Sequence, residues 1–316
     1  PCSMTKRIFV TGASGCIGHY LVEALIQETQ HELFLLVRDA NKLKIDVTAR
    51  SGITVIESDL CEIEQHRSLL HTIDVAVLAA TAWGGEAVQD VNISRTLQLL
   101  SMLDSERIEQ VIYFSTASIL DRQNQLLPEA FEIGNDYLRS KYACYEKLAD
   151  SAIAPKITKL FPTFVIGGGD RYPYSHVTAG LPEVAKWTKL IRFFHADGSF
   201  HFIHGHDIAQ VVRHLIEHPP TEKNLVLGNQ KITVNAAIEE MCEYLGLKPY
   251  LGIPLLWLAD VFIFLFRIQM GEWERFSLRY RHFTHLNPIS PATFGMANYC
   301  STMSDVLKLS GVRRKT

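Results

Sequence analysis

A chain of 316 residues is too long for one small domain, so it builds either one large α/β unit or two lobes. With 47% hydrophobic and 21% charged residues it has the apolar mass for a core, which excludes a disordered chain. Lys and Arg (31) nearly balance Asp and Glu (34), and a formal charge of −3 leaves no basic field for nucleic acid.

The first strand is Ile8, Phe9 and Val10, and the segment TGASGCIG, residues 11–18, comes directly behind it. Gly12, Gly15 and Gly18 fit a chain that leaves a strand, turns tightly and opens a helix with bare N-terminal amides facing outward. Unpaired N–H groups and the positive end of the helix dipole then point at one place, which attracts a diphosphate. One glycine makes the turn, one lets the diphosphate approach the backbone, and one lets the helix pack on the sheet. Ser14, Cys16 and Ile17 complete the loop, and the helix runs over 16–28 with Ile17, Leu21, Ala24, Leu25 and Glu28 at helical spacing. At Cys16 the dipole favours a thiolate, but a small side chain packed beside the loop is the simpler account.

Residues 33–37 form a continuous apolar strand that ends in Arg38. In dinucleotide folds the tip of the second strand faces the adenine ribose, and an acid there selects NAD through the ribose hydroxyls. Val37 and Arg38 hold this tip, with Lys42 and Lys44 shortly after. The local charge therefore suits a 2′-phosphate, and NADP (NADPH) is the expected cofactor, with NAD less favoured. The third strand, 53–56, runs into Glu57, Ser58, Asp59 and Leu60. Asp59 serves either an adenine amino group or, as a cap, the amides of the next helix. Residues 75–80 read as a fourth strand buried on both faces, and the small residues Ala79, Ala80, Thr81 and Ala82 let a cofactor lie against the backbone. A helix over 87–103 carries Asn92, and a fifth strand over 111–114 ends in Ser115, Thr116, Ala117 and Ser118. This alternation implies an α/β fold with a doubly wound parallel sheet, whose ligands lie beyond the carboxyl ends of the strands. Gly12, Arg38, Asp59, Ala80 and Thr116 all fall at such ends.

Residues 135–149, NDYLRSKYACYEKLA, carry the chemistry. Tyr137 and Lys141 are four apart and share one helix face. An ammonium beside a phenol stabilises the phenolate, lowering a pKa that is normally about 10 toward a range useful for proton transfer. A Ser or Thr hydroxyl at the preceding strand end holds the substrate oxygen in reach.

With these residues in view, the sequence resembles the short-chain dehydrogenase/reductase superfamily. The likeness is to its extended branch of epimerase, dehydratase and hydroxysteroid-dehydrogenase types, over about residues 6–247. TGASGCIG looks like the family's TGxxGxxG loop, and YLRSK at 137–141 like its YxxxK site. FSTASIL at 114–120 matches the SSxxVYG strand end, which puts Thr116 at the catalytic hydroxyl, and Asn92 resembles the family's helix asparagine. FPTFVIGG at 161–168 is similar to the RPxxVYG segment passing the nicotinamide, with Phe161 in place of Arg, and brings Pro162, Thr163 and Val165 to the cofactor. FIHGHDIAQVV at 202–212 resembles the return strand and helix.

The resemblance implies an NADP-binding Rossmann domain over 4–166, with a return helix at about 207–217, and a smaller substrate-binding lobe over 167–316. It also implies a mechanism. Tyr137 is the general acid or base, Lys141 lowers its pKa and holds the nicotinamide ribose, Thr116 meets the substrate oxygen, and Asn92 helps order water and lysine. Ser115 or Ser118 stands in if Thr116 is misaligned. Dehydratases of the family carry an acidic pair directly after the catalytic threonine, where this chain has Ala117 and Ser118, so elimination is disfavoured. Net oxidoreduction with NADP(H) leads. A nucleotide-sugar epimerase with tightly held NAD is the alternative enzyme, and a non-catalytic cofactor sensor or partner-binding protein is the alternative of another class. Homodimerisation through helices near Leu97 and Tyr145 is a family expectation.

In the second half, His195, His201, His204 and His206 invite a metal reading. No cysteine or carboxylate cluster joins them except Asp207, which reads instead as the cap of a helix over 208–217, so no metal is expected. Residues 253–270, IPLLWLADVFIFLFRIQM, form an apolar stretch too short to span a bilayer comfortably, followed by Arg275, Arg279 and Arg281 among Trp273 and Phe276. It lines a pocket or, through 253–285, touches a membrane surface, and it favours a largely apolar small-molecule substrate. The cysteines Cys2, Cys16, Cys61, Cys144, Cys242 and Cys300 show no metal or redox spacing. Residues 1–3 read as a remnant ahead of Met4, no signal segment follows, and a cytoplasmic location is expected.

Overall fold

The computed structural model describes residues 5–169, 171–256, 260 and 270–314. Six strands, β1 (Arg7–Thr11), β2 (Glu32–Val37), β3 (Ile53–Glu57), β4 (Val75–Leu78), β5 (Gln110–Phe114) and β6 (Ile157–Pro162), form a parallel sheet with a seventh, Asn224–Leu227. The order is Asn224–Leu227, β6, β5, β4, β1, β2, β3. Val10 of β1 stands opposite Leu35 of β2 on one side and Val77 of β4 on the other. The strand order therefore reverses at β1, and this reversal opens the crevice in which α/β ligands lie.

Both faces of the sheet are covered, which is why its strands are short apolar runs. Ile8 and Val10, Val75 and Val77, and Ile112 and Phe114 face one core, with Leu21, Val22 and Leu25 of helix α1 (Cys16–Glu28) and Ile208, Val211 and Leu215 of the Gly205–Glu217 helix. Phe9, Ala76, Leu78, Val111 and Tyr113 face the other core, with Leu99, Leu100, Cys144 and Leu148. Burying each large side chain of this kind contributes roughly 1.5–3 kcal/mol. Beyond the sheet, Phe164–Ile166 pairs in parallel with Phe202–His204. Ser199–Phe200 pairs with Ile232–Thr233 and His282–Phe283.

Three expectations change. β4 ends at Leu78 rather than running to residue 80, because the Ala80 N–H turns to the Thr11 hydroxyl at 3.2 Å. The helix expected over 87–103 is α-helical over Ala87–Gln89 and Thr96–Ser101 but widens to a π turn over Asp90–Arg95, which carries the buried Asn92. Asp207 does not cap a helix. The helix begins at Gly205, its cap is the His204 ring, which accepts from the His206 N–H at 3.1 Å, and Asp207 is fully buried. Its carboxylate accepts from the Tyr299 and Cys300 N–H groups at 2.7 and 3.1 Å, tying the return helix to the C-terminal segment. Most of the apolar stretch at 253–270, namely 257–259 and 261–269, lies outside the described residues. Among the described residues no helix is long and apolar enough to cross a membrane.

Candidate active site

The glycine loop is a backbone surface. Gly12 has φ +73°, and a Cβ there would fall 2.5 Å from the Ala80 nitrogen; a Cβ on Gly18 would fall 2.0 Å from the Gly12 oxygen. Turn, helix and the end of β4 thus touch through main chain alone. Helix α1 opens after an extended Gly15 with no side-chain cap, so its first amides face the crevice without an internal acceptor. Ser14, Cys16 and Ile17 are half-buried around them. Burial pushes the Cys16 thiol up to about 12, which fits a packed side chain and not a thiolate.

At the tip of β2, Arg38 is exposed, without an ion-pair partner among the described residues. The nearby acids are engaged elsewhere: Asp39 accepts from the Asn41 N–H at 3.0 Å and Glu57 from the Ala40 N–H at 2.8 Å. Asp59 accepts from the Cys61 N–H at 2.8 Å, the bond that most lowers its pKa, and so caps the turn Leu60–His66. Leu60 is buried in the core beneath it.

Tyr137 and Lys141 stand on the Asp136–Lys147 helix, whose cap, Asn135, accepts from the Leu138 N–H at 2.9 Å. The Tyr137 and Thr116 side chains interact, which brings together the strand end and the helix that the motifs pointed to, and Thr116 favours the phenolate. Desolvation outweighs that effect and pushes the phenol up to about 12. The sequence expectation was the reverse, a phenol lowered by Lys141. The reason is geometric: the buried Lys141 ammonium donates to the Phe114 carbonyl at 2.8 Å, and burial pulls its own pKa down to about 8.

Asn92 is fully engaged with protein partners. Its Oδ1 accepts from the Thr81 hydroxyl (3.1 Å) and the Ala82 N–H (2.8 Å), and its Nδ2 donates to the Ala82 carbonyl and the Ser140 hydroxyl, both at 2.9 Å. It therefore clips the loop after β4 to the helix of Tyr137. Ser115 is buried with a hydroxyl that has no partner among the described residues, and Ala79 and Ala80 wall the Gly12 turn. Pro162 ends β6, the Thr163 hydroxyl donates to the Leu227 carbonyl at 2.8 Å, and Val165 pairs with Ile203.

Next in sequence to Thr116, Ala117 and Ser118 line a small cleft of about 40 Å³ together with Thr163, Phe164, His201, Phe283 and His285. His201 binds the Asn229 carbonyl (2.8 Å) through Nδ1 and accepts the His285 N–H (3.1 Å) at Nε2, which fixes it as a neutral tautomer. His285 is pulled down to about 4, chiefly by burial, so no charged group faces the cleft at neutral pH. Sequence reasoning missed His285, and it missed Trp83, which stacks on Tyr137. The only local signal for Trp83 was an aromatic residue between Ala82 and a Gly-Gly pair.

The model of the NAD dependent epimerase/dehydratase family matches residues 8–228, and the chain belongs to that family. Solved structures share the fold at low identity. The terminal R domain of the myxalamid PKS-NRPS pathway has a TM-score of 0.69 at 16% identity, covering 99% of this chain and 91% of its own. The Bordetella bronchiseptica enzyme WbmG, in complex with NAD, has a TM-score of 0.67 at 16% identity, covering 99% and 97%. Bacillus anthracis dTDP-glucose 4,6-dehydratase, also with NAD, has 0.66 at 13% identity, covering 98% and 96%.

Proposed function

We propose that this protein is an NADP(H)-dependent oxidoreductase that interconverts a hydroxyl and a carbonyl on a largely apolar small molecule. The side-chain interaction of Tyr137 with Thr116, whose next two residues, Ala117 and Ser118, line an uncharged cleft, carries the reading. The residues fit a dinucleotide: the Gly12–Gly18 contact makes a cradle that a Cβ would fill, and Ser115 has a hydroxyl without a partner among the described residues. Gly12, Ser14, Gly15, Cys16, Ile17 and Gly18 would hold its diphosphate, with Ala79, Ala80 and Thr81 alongside; Arg38 would hold a 2′-phosphate, and Ser115, Lys141, Pro162, Thr163 and Val165 would flank its far end. A nicotinamide bound there supplies or accepts the hydride.

Tyr137 stays protonated at neutral pH with a pKa of about 12, so it is set to give its proton to a carbonyl oxygen held by Thr116. Lys141, at about 8, keeps its charge below that pH and loses it above, which sets an upper pH limit for reduction. The phenol recovers its proton from solvent after each turnover.

A titration with NADPH and NADH, after mass spectrometry of the purified protein for retained cofactor, tests this reading. Tighter, exchangeable NADPH supports it. Retained NAD without NADPH preference overturns it and favours a nucleotide-sugar epimerase, a reading supported by the structural likeness to a UDP-N-acetylglucosamine 4-epimerase and to WbmG, which is in complex with NAD. We extend the proposal to membrane-surface contact: Trp187, Leu190, Tyr250 and Ile253 are exposed, with Lys186 and Lys189 on the same helix as Trp187. Failure to float with anionic liposomes rejects that extension.

A further inference from the structure

Trp83 belongs to none of the motifs that define the site. Its indole nevertheless lies nearly flat on the Tyr137 phenol, with ring centroids 4.3 Å apart and planes 22° apart, and it meets the His176 imidazole at 4.2 Å. It is 53% exposed, so it covers the reacting phenol from the solvent side and is not part of the core. The indole N–H has no hydrogen-bond partner among the described residues.

The two ends of this arm differ. Ala82, just before it, is gripped through both N–H and C=O by Asn92, which also grips Ser140 on the helix of Tyr137. Gly84 and Gly85 follow it, Gly85 with φ +86°, and nothing lies within 4 Å of where either would carry a Cβ. The arm is therefore rooted on the catalytic helix and has room to swing beyond its root.

Rings stacked at this distance leave no gap for a third, so a carbonyl compound approaches across that face of Tyr137 only when the indole moves aside. An incoming molecule that is itself a flat or alicyclic apolar ring restores the stacking that the indole gives up as it moves. We propose that Trp83 is a positioning and specificity residue: it covers Tyr137 in the free protein and yields to ring-shaped apolar carbonyl compounds in preference to small ones. This rests on the oxidoreductase reading above.

The probes are cyclohexanone and acetone, with NADPH oxidation as the readout. Wild type is expected to have a KM for cyclohexanone at least about tenfold below that for acetone, Trp83→Ala to bring the two together, and Trp83→Phe to restore most of the gap. An unchanged KM ratio in Trp83→Ala, or a loss confined to kcat, overturns the proposal. A second readout needs no turnover. In protein carrying ¹³C-labelled tyrosine, with Tyr137 assigned by Tyr137→Phe, the indole should shift the Tyr137 ring protons upfield. That shift should vanish in Trp83→Leu, and in NADP-loaded wild type on adding cyclohexanone. Persistence of the shift at saturating ketone overturns the movement. If wild type oxidises NADPH with neither ketone, the oxidoreductase reading falls, and an unshifted Tyr137 in the free protein then overturns the covering role as well.

Discussion

At the β1 end of the crevice the ligand surface is main chain: Gly12, Gly15 and Gly18 bring a helix start, a turn and the end of β4 together, and no side chain is needed. At the Tyr137 end the surface is side chains whose properties come from distant partners: Thr116 on the phenol, Phe114 under the lysine, Trp83 over the ring. At Gly12 and Gly18 the first end tolerates no added atom. The second tolerates atoms but depends on which proton sits where. On the proposed function, the first end would hold the dinucleotide and the second would carry the chemistry.

The largest expected effect breaks the first end. Gly18→Ala drives a methyl into the Gly12 carbonyl at 2.0 Å, an overpacking at the upper end of about 1–3 kcal/mol, read as a lower denaturation midpoint together with abolished cofactor binding. At the other end, Tyr137→Phe keeps the fold and cofactor binding but lowers turnover by roughly 10²–10⁴-fold, measured by steady-state kinetics. A variant that lost both would erase the contrast.

Protonation gives the next effect. His204 and His285 are held near 4 in the folded protein, against 6.5 for a free histidine, mainly by burial. The unfolded chain binds more protons between those values, so stability falls as pH drops from 6.5 toward 4, by at most about 3 kcal/mol for each histidine. Tm measured across that window should drop, and His285→Gln should flatten part of the slope. The smallest effect sharpens the first end. Arg38→Ala should weaken NADPH by the worth of a charged hydrogen bond, about 1.5–3 kcal/mol, and leave NADH unchanged in the same titration.

The main-chain end was legible because its signal is local. Glycine spacing behind an apolar run states the turn, and the helix expected over 16–28 is the one observed, Cys16–Glu28. Tyr137 and Lys141 were chosen by their spacing and Thr116 by the family resemblance, and the Tyr137 and Thr116 side chains interact in the structure. Their ionisation was not legible, because the Lys141 bond to Phe114 spans a separation of 27 residues and burial outweighs a neighbour's charge. Asp207 was misread for a similar reason. An acid ahead of an apolar periodic run looks like a cap, and only the fold shows that its partners lie near residue 300. Trp83 and His285 act through neighbours that no short window contains.

Helix α1 buries its apolar face against the Gly205–Glu217 helix, and the sheet gains its seventh strand only at Asn224–Leu227. A ribosome making this chain therefore emits the nucleotide loop long before its packing partner exists. Some two hundred residues must leave the exit tunnel before that surface can close, so the nascent N-terminal half presents apolar surface during synthesis until the return helix arrives.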